Sequence, residues 1–255
     1  MPSKVVLRLK LEKPLKGGEI KPDTLHGFFF KLLGGELAEE FHTRYGNVKP
    51  YSLSCGEMFG EKPTEVLHLE INLLEEKLLA KLLSGIILGD KKDLFLGRVG
   101  ITDLSILPVR EKYIATYRSL GEVTPETQRW VVRFLSPTTF RRNDIDLPFP
   151  LPELVFKGLV KRWNAFSPTP VGVDLRPFYS LVKVSSFSLK SQRVEFSNGG
   201  KLTAFRGFAV FNLSLVRDRE AKRWFSILLN FSNWSGIGRK TTMGLGKVLA
   251  KPLEG

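Results

Sequence analysis

Proton-transfer chemistry has few candidates in this 255-residue chain: three histidines, His26, His42 and His68, and a single cysteine, Cys55. An imidazole titrates near pH ~6.5, so it can both take and give a proton around neutrality. The spacing places His26 in the first turn of a helix, where the positive end of the helix dipole disfavours imidazolium and keeps the ring ready to accept a proton. His42 follows after a Gly34-Gly35 break and one further helical turn, and that break can fold the chain back so that the two rings meet. Two imidazoles flanking one phosphodiester divide the work. One removes the proton of a ribose 2′-hydroxyl and the other protonates the departing 5′-oxygen. That chemistry needs no metal and no cofactor.

Lys31, Arg44, Tyr45 and Lys49 lie near enough in sequence to stabilise the extra charge of a pentavalent phosphorane, and the spacing does not select among them. His68 falls on the polar side of an alternating strand and reads as structural. Cys55 cannot form an internal disulfide, and without neighbouring cysteines it offers no zinc quartet. No metal site is expected.

A second constellation lies near the C-terminus. Gly236-Ile237-Gly238 and Gly244-Leu245-Gly246 frame five residues that include Arg239 and Lys240. Glycine lets a backbone lie close against a polyanion, here with cations in reach. The spelling is not that of a P-loop, because Gly238 is followed by Arg239 and the preceding segment reads as helix where that motif needs a strand. It is not the dinucleotide fingerprint either, since Thr241 stands where a glycine is required.

Charge points the same way. Residues 1–125 carry 18 Lys and Arg against 17 Asp and Glu, whereas residues 126–255 carry 21 against 9. Nearly all of the formal charge of +13 therefore belongs to the second half, as a surface for a phosphate backbone would require. Arg129, Arg133, Arg141 and Arg142 cluster with Phe134 and Phe140, followed by Lys157, Lys161, Arg162, Lys183, Lys190 and Arg193. Arginine interleaved with aromatics suits folded or single-stranded RNA, and nothing resembles a helix-turn-helix or a zinc finger. No apolar run reaches the ~18 residues of a membrane helix, and the N-terminus alternates instead of forming an apolar signal core, so a cytoplasmic location is expected.

Two modules position these residues. A strand at Val5–Leu11 and a helix with Asp23 as its cap and Leu25, Phe28, Phe29 and Leu32 on its inner face open the first. Strands at Tyr51–Ser54 and Leu67–Leu73, a helix at Glu75–Ile86 and a strand at Val99–Leu107 complete βαββαβ. The second half repeats the order. Strands are expected at Trp130–Leu135, Val182–Phe187, Ala204–Val216 and Lys247–Ala250, with helices at Leu154–Phe166 and Glu220–Phe231. The fold class expected is α+β, two tandem ferredoxin-like (RRM-like) domains spanning 1–123 and 124–255, the first catalytic and the second basic and RNA-binding.

The glycine-rich loop, the run Phe134-Leu135-Ser136-Pro137-Thr138-Thr139-Phe140-Arg141-Arg142 and the Leu25-His26-Gly27-Phe28-Phe29 helix together resemble the sixth CRISPR-associated protein family (Cas six), endoribonucleases of the RAMP superfamily. The resemblance covers nearly the whole chain. It implies binding of CRISPR repeat RNA, often as a small stem-loop, and metal-independent cleavage of the precursor transcript, leaving a 5′-hydroxyl and a 2′,3′-cyclic phosphate. It gives His42 the place of the family's frequent catalytic histidine and His26 that of a second histidine or arginine. Gly236, Gly238, Gly244 and Gly246 would form the superfamily's loop, with Arg239 or Lys240 touching RNA. Phe28, Phe29 and Phe30 stand where several relatives carry a tyrosine, which puts the weight on the histidine pair. Effector-complex subunits and a second copy of the chain are the further partners it implies, with no membrane. The rival expectations are a RAMP-type subunit that grips RNA without cutting it, and an RNA-binding protein of ribosome assembly.

Overall fold

The computed structural model describes residues 1–34, 39, 41, 43, 45–46, 48–89, 94–108, 110–123 and 127–253, with Lys112 by its backbone alone. Its first sheet is built from β1 (Ser3–Leu15), β2 (Tyr51–Cys55), β3 (Thr64–Leu73), the two-residue β4 (Phe95–Leu96) and β5 (Val99–Ile106), in the order β2-β3-β1-β5-β4. Alternation decides which way β1 faces: Val5, Leu7, Leu9 and Leu11 are buried, and Leu7 and Leu9 stand opposite Leu69 and Leu67 of β3. Helix α1 (Pro22–Leu33) packs Leu25, Phe28, Phe29 and Leu32 onto this core, and α2 (Lys77–Leu88) adds Leu78, Leu82 and Ile86.

Two details of α1 differ from the sequence reading. Pro22 starts the helix, with its fixed φ and missing N–H, and Lys21 occupies the cap position, so Asp23 lies inside the first turn. His26 is consequently the fifth helical residue, beyond the turn where the dipole acts strongly. Gly34 ends the helix at φ 77°, as expected of a glycine stop.

The second sheet, ordered β11-β6-β10-β9, uses β6 (Arg129–Thr138), β9 (Lys183–Glu195), β10 (Lys201–Asn212) and β11 (Val248–Pro252). With α4 (Pro152–Phe166) before β9 and α5 (Arg219–Ser235) before β11, the succession is again βαββαβ, and the strands neighbour one another as in the first sheet. The protein is therefore a tandem ferredoxin-like fold. Helix α3 (Tyr117–Leu120) precedes β6, and a small hairpin of β7 (Phe140–Arg142) and β8 (Ile145–Leu147) follows it. That hairpin was not expected. Asn143 and Asp144 turn it with φ of 48° and 63°, the left-handed pair that matches the twist of two-residue hairpins. The strand expected to stop at Phe187 instead runs to Glu195, so the basic segment 188–195 belongs to an extended strand.

By contacts the chain divides into two compact units. One holds Met1–Ile114 with two remote segments, Glu195–Lys201 and Thr242–Gly244; the other holds Ala115–Val194, Leu202–Thr241 and Leu245–Gly255. The tip of the β9–β10 hairpin and three residues of the glycine-rich loop thus belong with α1.

Candidate active site and RNA-binding loop

In the first unit His26 is half-buried on α1 beside an aromatic cluster. Its ring centroid lies 4.7 Å from that of Phe30, and its Nε2 stands 3.2 Å from the hydroxyl of Tyr51, the first residue of β2. Phe29 and Phe41 fix the Tyr51 ring at centroid distances of 4.6 and 5.1 Å, so the phenol has one place to point. Burial pushes the phenol well above its ordinary ionisation range, and a hydrogen bond with the Thr242 side chain pulls partly the other way. Tyr51 is therefore neutral at any working pH.

Sequence reading missed Tyr51 because its partner is 25 residues away and only the sheet brings the two together.

Other candidates of this unit fall as follows. His42 and Arg44 lie outside the described residues. Lys49 Nζ donates to the carbonyl of Phe41 at 2.6 Å, which anchors the backbone just before His42. Tyr45 donates to Glu75 at 2.9 Å, and Lys31 lies over the ring of Phe95. His68 pairs through Nδ1 with Glu57 at 2.8 Å, a partially exposed structural contact. Cys55 is buried, its thiol pushed up first by burial and then by Glu57, and so it is unreactive.

Two remote segments hold α1. Both Ser197 N–H and Ser197 Oγ–H donate to the Asp23 carboxylate, one turn before His26. Gly244 sits so close to α1 that a Cβ there would lie 3.1 Å from Leu25 Cδ2 and 3.5 Å from Met58 Sδ. Its φ of 87° adds a second reason for glycine.

In the second unit the two Gly-apolar-Gly clamps hold each other and the Ser136–Thr139 run. Ile237 N–H donates to Gly246 O at 2.8 Å, Gly246 N–H to Pro137 O at 3.0 Å, and Arg239 N–H to Thr139 O at 3.0 Å. The two motifs picked out separately in sequence are one packed structure. Arg162, expected on a cationic surface, lies instead beneath the loop. Its guanidinium donates to the carbonyls of Ser235, Gly236 and Gly238 and to Thr241 Oγ1 at 2.8–3.1 Å. Burial lowers its pKa to about 10, which leaves it charged at neutral pH.

The remaining cations of the expected RNA-binding set are placed as follows. Arg239 Nη1 pairs with Asp146 of β8 at 2.6 Å. Lys240 takes a left-handed φ of 57°. Arg141 pairs with Asp144 and Arg142 with Glu153 at the surface. Arg129 and Arg133 are exposed on the side of β6 that faces away from its buried Trp130, Val132 and Phe134. Arg133 stands directly between Phe208 of β10 and Leu249 of β11, a cation flanked by apolar side chains on one sheet face. Among the described residues no helix is long and apolar enough to cross a membrane.

The double βαββαβ fold, with a histidine on the first helix and a glycine loop before the last strand, places the chain among tandem ferredoxin-like proteins. The family model for the CRISPR-associated endoribonuclease Cas6 matches residues 132–248. A Cas6 endoribonuclease of Mycobacterium tuberculosis is 26% identical over 98% of this chain and 79% of its own length. Among solved structures, a Cas6 (TTHB231) product complex is 29% identical, covers 98% of this chain and 100% of its own, and superposes with a TM-score of 0.83. A Cas6 (TTHA0078) substrate mimic complex is 26% identical over 98% and 100%, with a TM-score of 0.71. The chain is thus similar, over nearly its whole length, to Cas6 CRISPR-associated endoribonucleases.

Proposed function

We propose that the chain is a metal-independent endoribonuclease that binds the repeat segment of a CRISPR precursor transcript and cuts it to mature CRISPR RNA. The 2′-hydroxyl beside the scissile phosphate attacks phosphorus in line; the O2′–P bond forms, the P–O5′ bond breaks, and the products end in a 2′,3′-cyclic phosphate and a 5′-hydroxyl. His26 and His42 share the two proton transfers, one receiving the 2′-hydroxyl proton and the other delivering a proton to the 5′-oxygen. The observation that carries this reading is the half-buried His26 imidazole held by a neutral phenol, in a chain whose relatives are named endoribonucleases. Complexes of related proteins with product and with substrate mimic support RNA as the partner. The grip is assigned to Arg129 and Arg133 on the sheet face, Arg141 and Arg142 on the β7–β8 hairpin, and Arg239, Lys240, Gly236, Gly238, Gly244 and Gly246 of the loop.

The test is cleavage of a repeat-hairpin RNA in excess chelator, with product ends identified by phosphatase sensitivity. Wild-type protein is expected to leave a cyclic phosphate. His26→Ala and His42→Ala should each slow cutting by about 10²–10⁴-fold while RNA affinity stays unchanged. Wild-type cleavage by both variants, or arrest by the chelator, overturns the proposal. Binding without cutting by the wild-type protein would favour the gripping subunit instead.

A further inference from the structure

Within the first unit, β2, α1 and the segment Thr242–Gly244 meet at His26. Whether His26 acts as base or as acid, one ring nitrogen exchanges a proton with the RNA while the other keeps its own. The nitrogen that keeps its proton needs a fixed acceptor, otherwise the ring rotates or changes tautomer. At His26, Nε2 faces the Tyr51 hydroxyl at 3.2 Å. The Tyr51 ring cannot swing away, because Phe29 and Phe41 pack against it and only 2% of the residue is exposed. A hydrogen bond with the Thr242 side chain offsets part of the effect of burial on its phenol. Thr242 belongs to the same compact unit although it lies 191 positions further along the chain.

We infer that Tyr51 and Thr242 are positioning residues for His26: Nε2–H donates to the Tyr51 oxygen, the Tyr51 and Thr242 hydroxyls share a hydrogen bond that steadies the phenol, and proton exchange with the RNA runs through Nδ1. The inference rests on the proposed catalytic role of His26. A neutral phenol suits the task, since it offers a lone pair to the imidazole in both of that ring's charge states. The glycine-rich loop thereby gains a second duty. Besides presenting cations, it carries at its centre the hydroxyl that ends this chain of hydrogen bonds. Gly244, two residues on and in the same compact unit, fits against Leu25, the residue preceding His26.

Tyr51→Phe and Thr242→Val remove one hydroxyl each and keep the volume, so both variants are expected to fold. Single-turnover cleavage of a repeat-hairpin RNA is measured from pH 5 to pH 9, with RNA affinity and thermal midpoint alongside. Tyr51→Phe should slow cutting about tenfold, the scale of one hydrogen bond to a charged group, with RNA affinity within about twofold of wild type. It should also move the His26-governed limb of the rate profile toward acid, because an acceptor at Nε2 favours imidazolium and its loss does the opposite. Thr242→Val should reproduce a smaller part of both changes, and Thr242→Ser should restore the wild-type values. His26→Ala separates the two levels of argument. If that variant cuts normally, the catalytic reading of His26 fails. If it is inactive while Tyr51→Phe leaves rate and profile unmoved, the catalytic reading stands and the positioning inference is overturned.

Discussion

The guanidinium of Arg162 lies 2.8 Å from the carbonyl oxygen of Gly238, and with three further bonds it organises the underside of the loop that was expected to grip RNA. A tight loop closed by two glycine clamps turns several carbonyls inward, away from water, and each needs a donor. A planar fork of N–H groups serves four acceptors from one side chain, which an ammonium on a flexible stem cannot do. A cation counted as surface charge is in fact the loop's scaffold.

Arg162→Met therefore strands three carbonyls and a hydroxyl, and should lower stability by about 3–5 kcal/mol, several hydrogen bonds to a charged group being lost together. Arg162→Lys should recover less than half of that. Chemical denaturation of both variants measures the difference. Equal stability of wild type and Arg162→Met would mean that the loop is held by its glycine pairing alone.

Gly238→Ala tests that pairing directly. The residue has φ of 88°, and an added Cβ would lie 2.5 Å from Thr139 O, a backbone atom that cannot step aside without breaking the Arg239 N–H bond. Strain of this kind is worth about 1–3 kcal/mol before the clash is counted. The expected outcome is a lowered thermal midpoint together with weakened RNA binding. Gly27→Ala, with open space around it in α1, should be tolerated or mildly stabilising.

Much of this arrangement was legible in the sequence. Period-two alternation in Val5–Leu11 and Leu67–Leu73, and helical spacing in Leu78–Ile86, were enough for the βαββαβ order, because each element buries one face. The same reasoning could have placed Arg162: it falls at helical spacing from Val155 and Leu159, on the inner face of α4, yet a cation was read as exposed by default. The β7–β8 hairpin had its own signal in Asn143-Asp144, two residues that tolerate left-handed backbone. Tyr51 was beyond such reading. A tyrosine opening a strand is ordinary, and its meaning arises only when β2 places it beside α1.

The proposed RNA-binding face makes a quantitative expectation. Arg129 and Arg133 project from β6 away from the core, with Phe208 beside Arg133 for a base to stack on. Each arginine that contacts phosphate should contribute about 0.7 to the slope of log affinity against log salt for single-stranded RNA. Replacing both by Ala should flatten the slope by about 1.4 and weaken binding of any RNA, repeat or not. Unchanged salt dependence would remove this face from the interface.

The hairpin tip that holds α1 can be tested apart from chemistry. Asp23 accepts from the backbone and side chain of Ser197, so Asp23→Ala leaves that backbone N–H to water and should cost about 1 kcal/mol. Amide exchange at Ser197 should quicken while exchange in β3 stays slow. Unaltered exchange at Ser197 would mean that Asp23 does not hold the tip.

Asp146 raises the sharpest question about the loop. It lies 2.6 Å from Arg239, one of the two cations that the resemblance would have touch RNA, and both side chains are only about one-quarter exposed. A phosphate approaching Arg239 must compete with that carboxylate, whose negative charge also repels the RNA backbone. Asp146→Asn keeps the shape, frees the guanidinium and removes the repulsion, and it should tighten RNA binding by about three- to tenfold at low salt with a steeper salt slope. If the variant binds more weakly, the pair is a tether between the β7–β8 hairpin and the loop. Arg239 would then contribute through the shape it gives the loop, and phosphate contact would pass to Lys240.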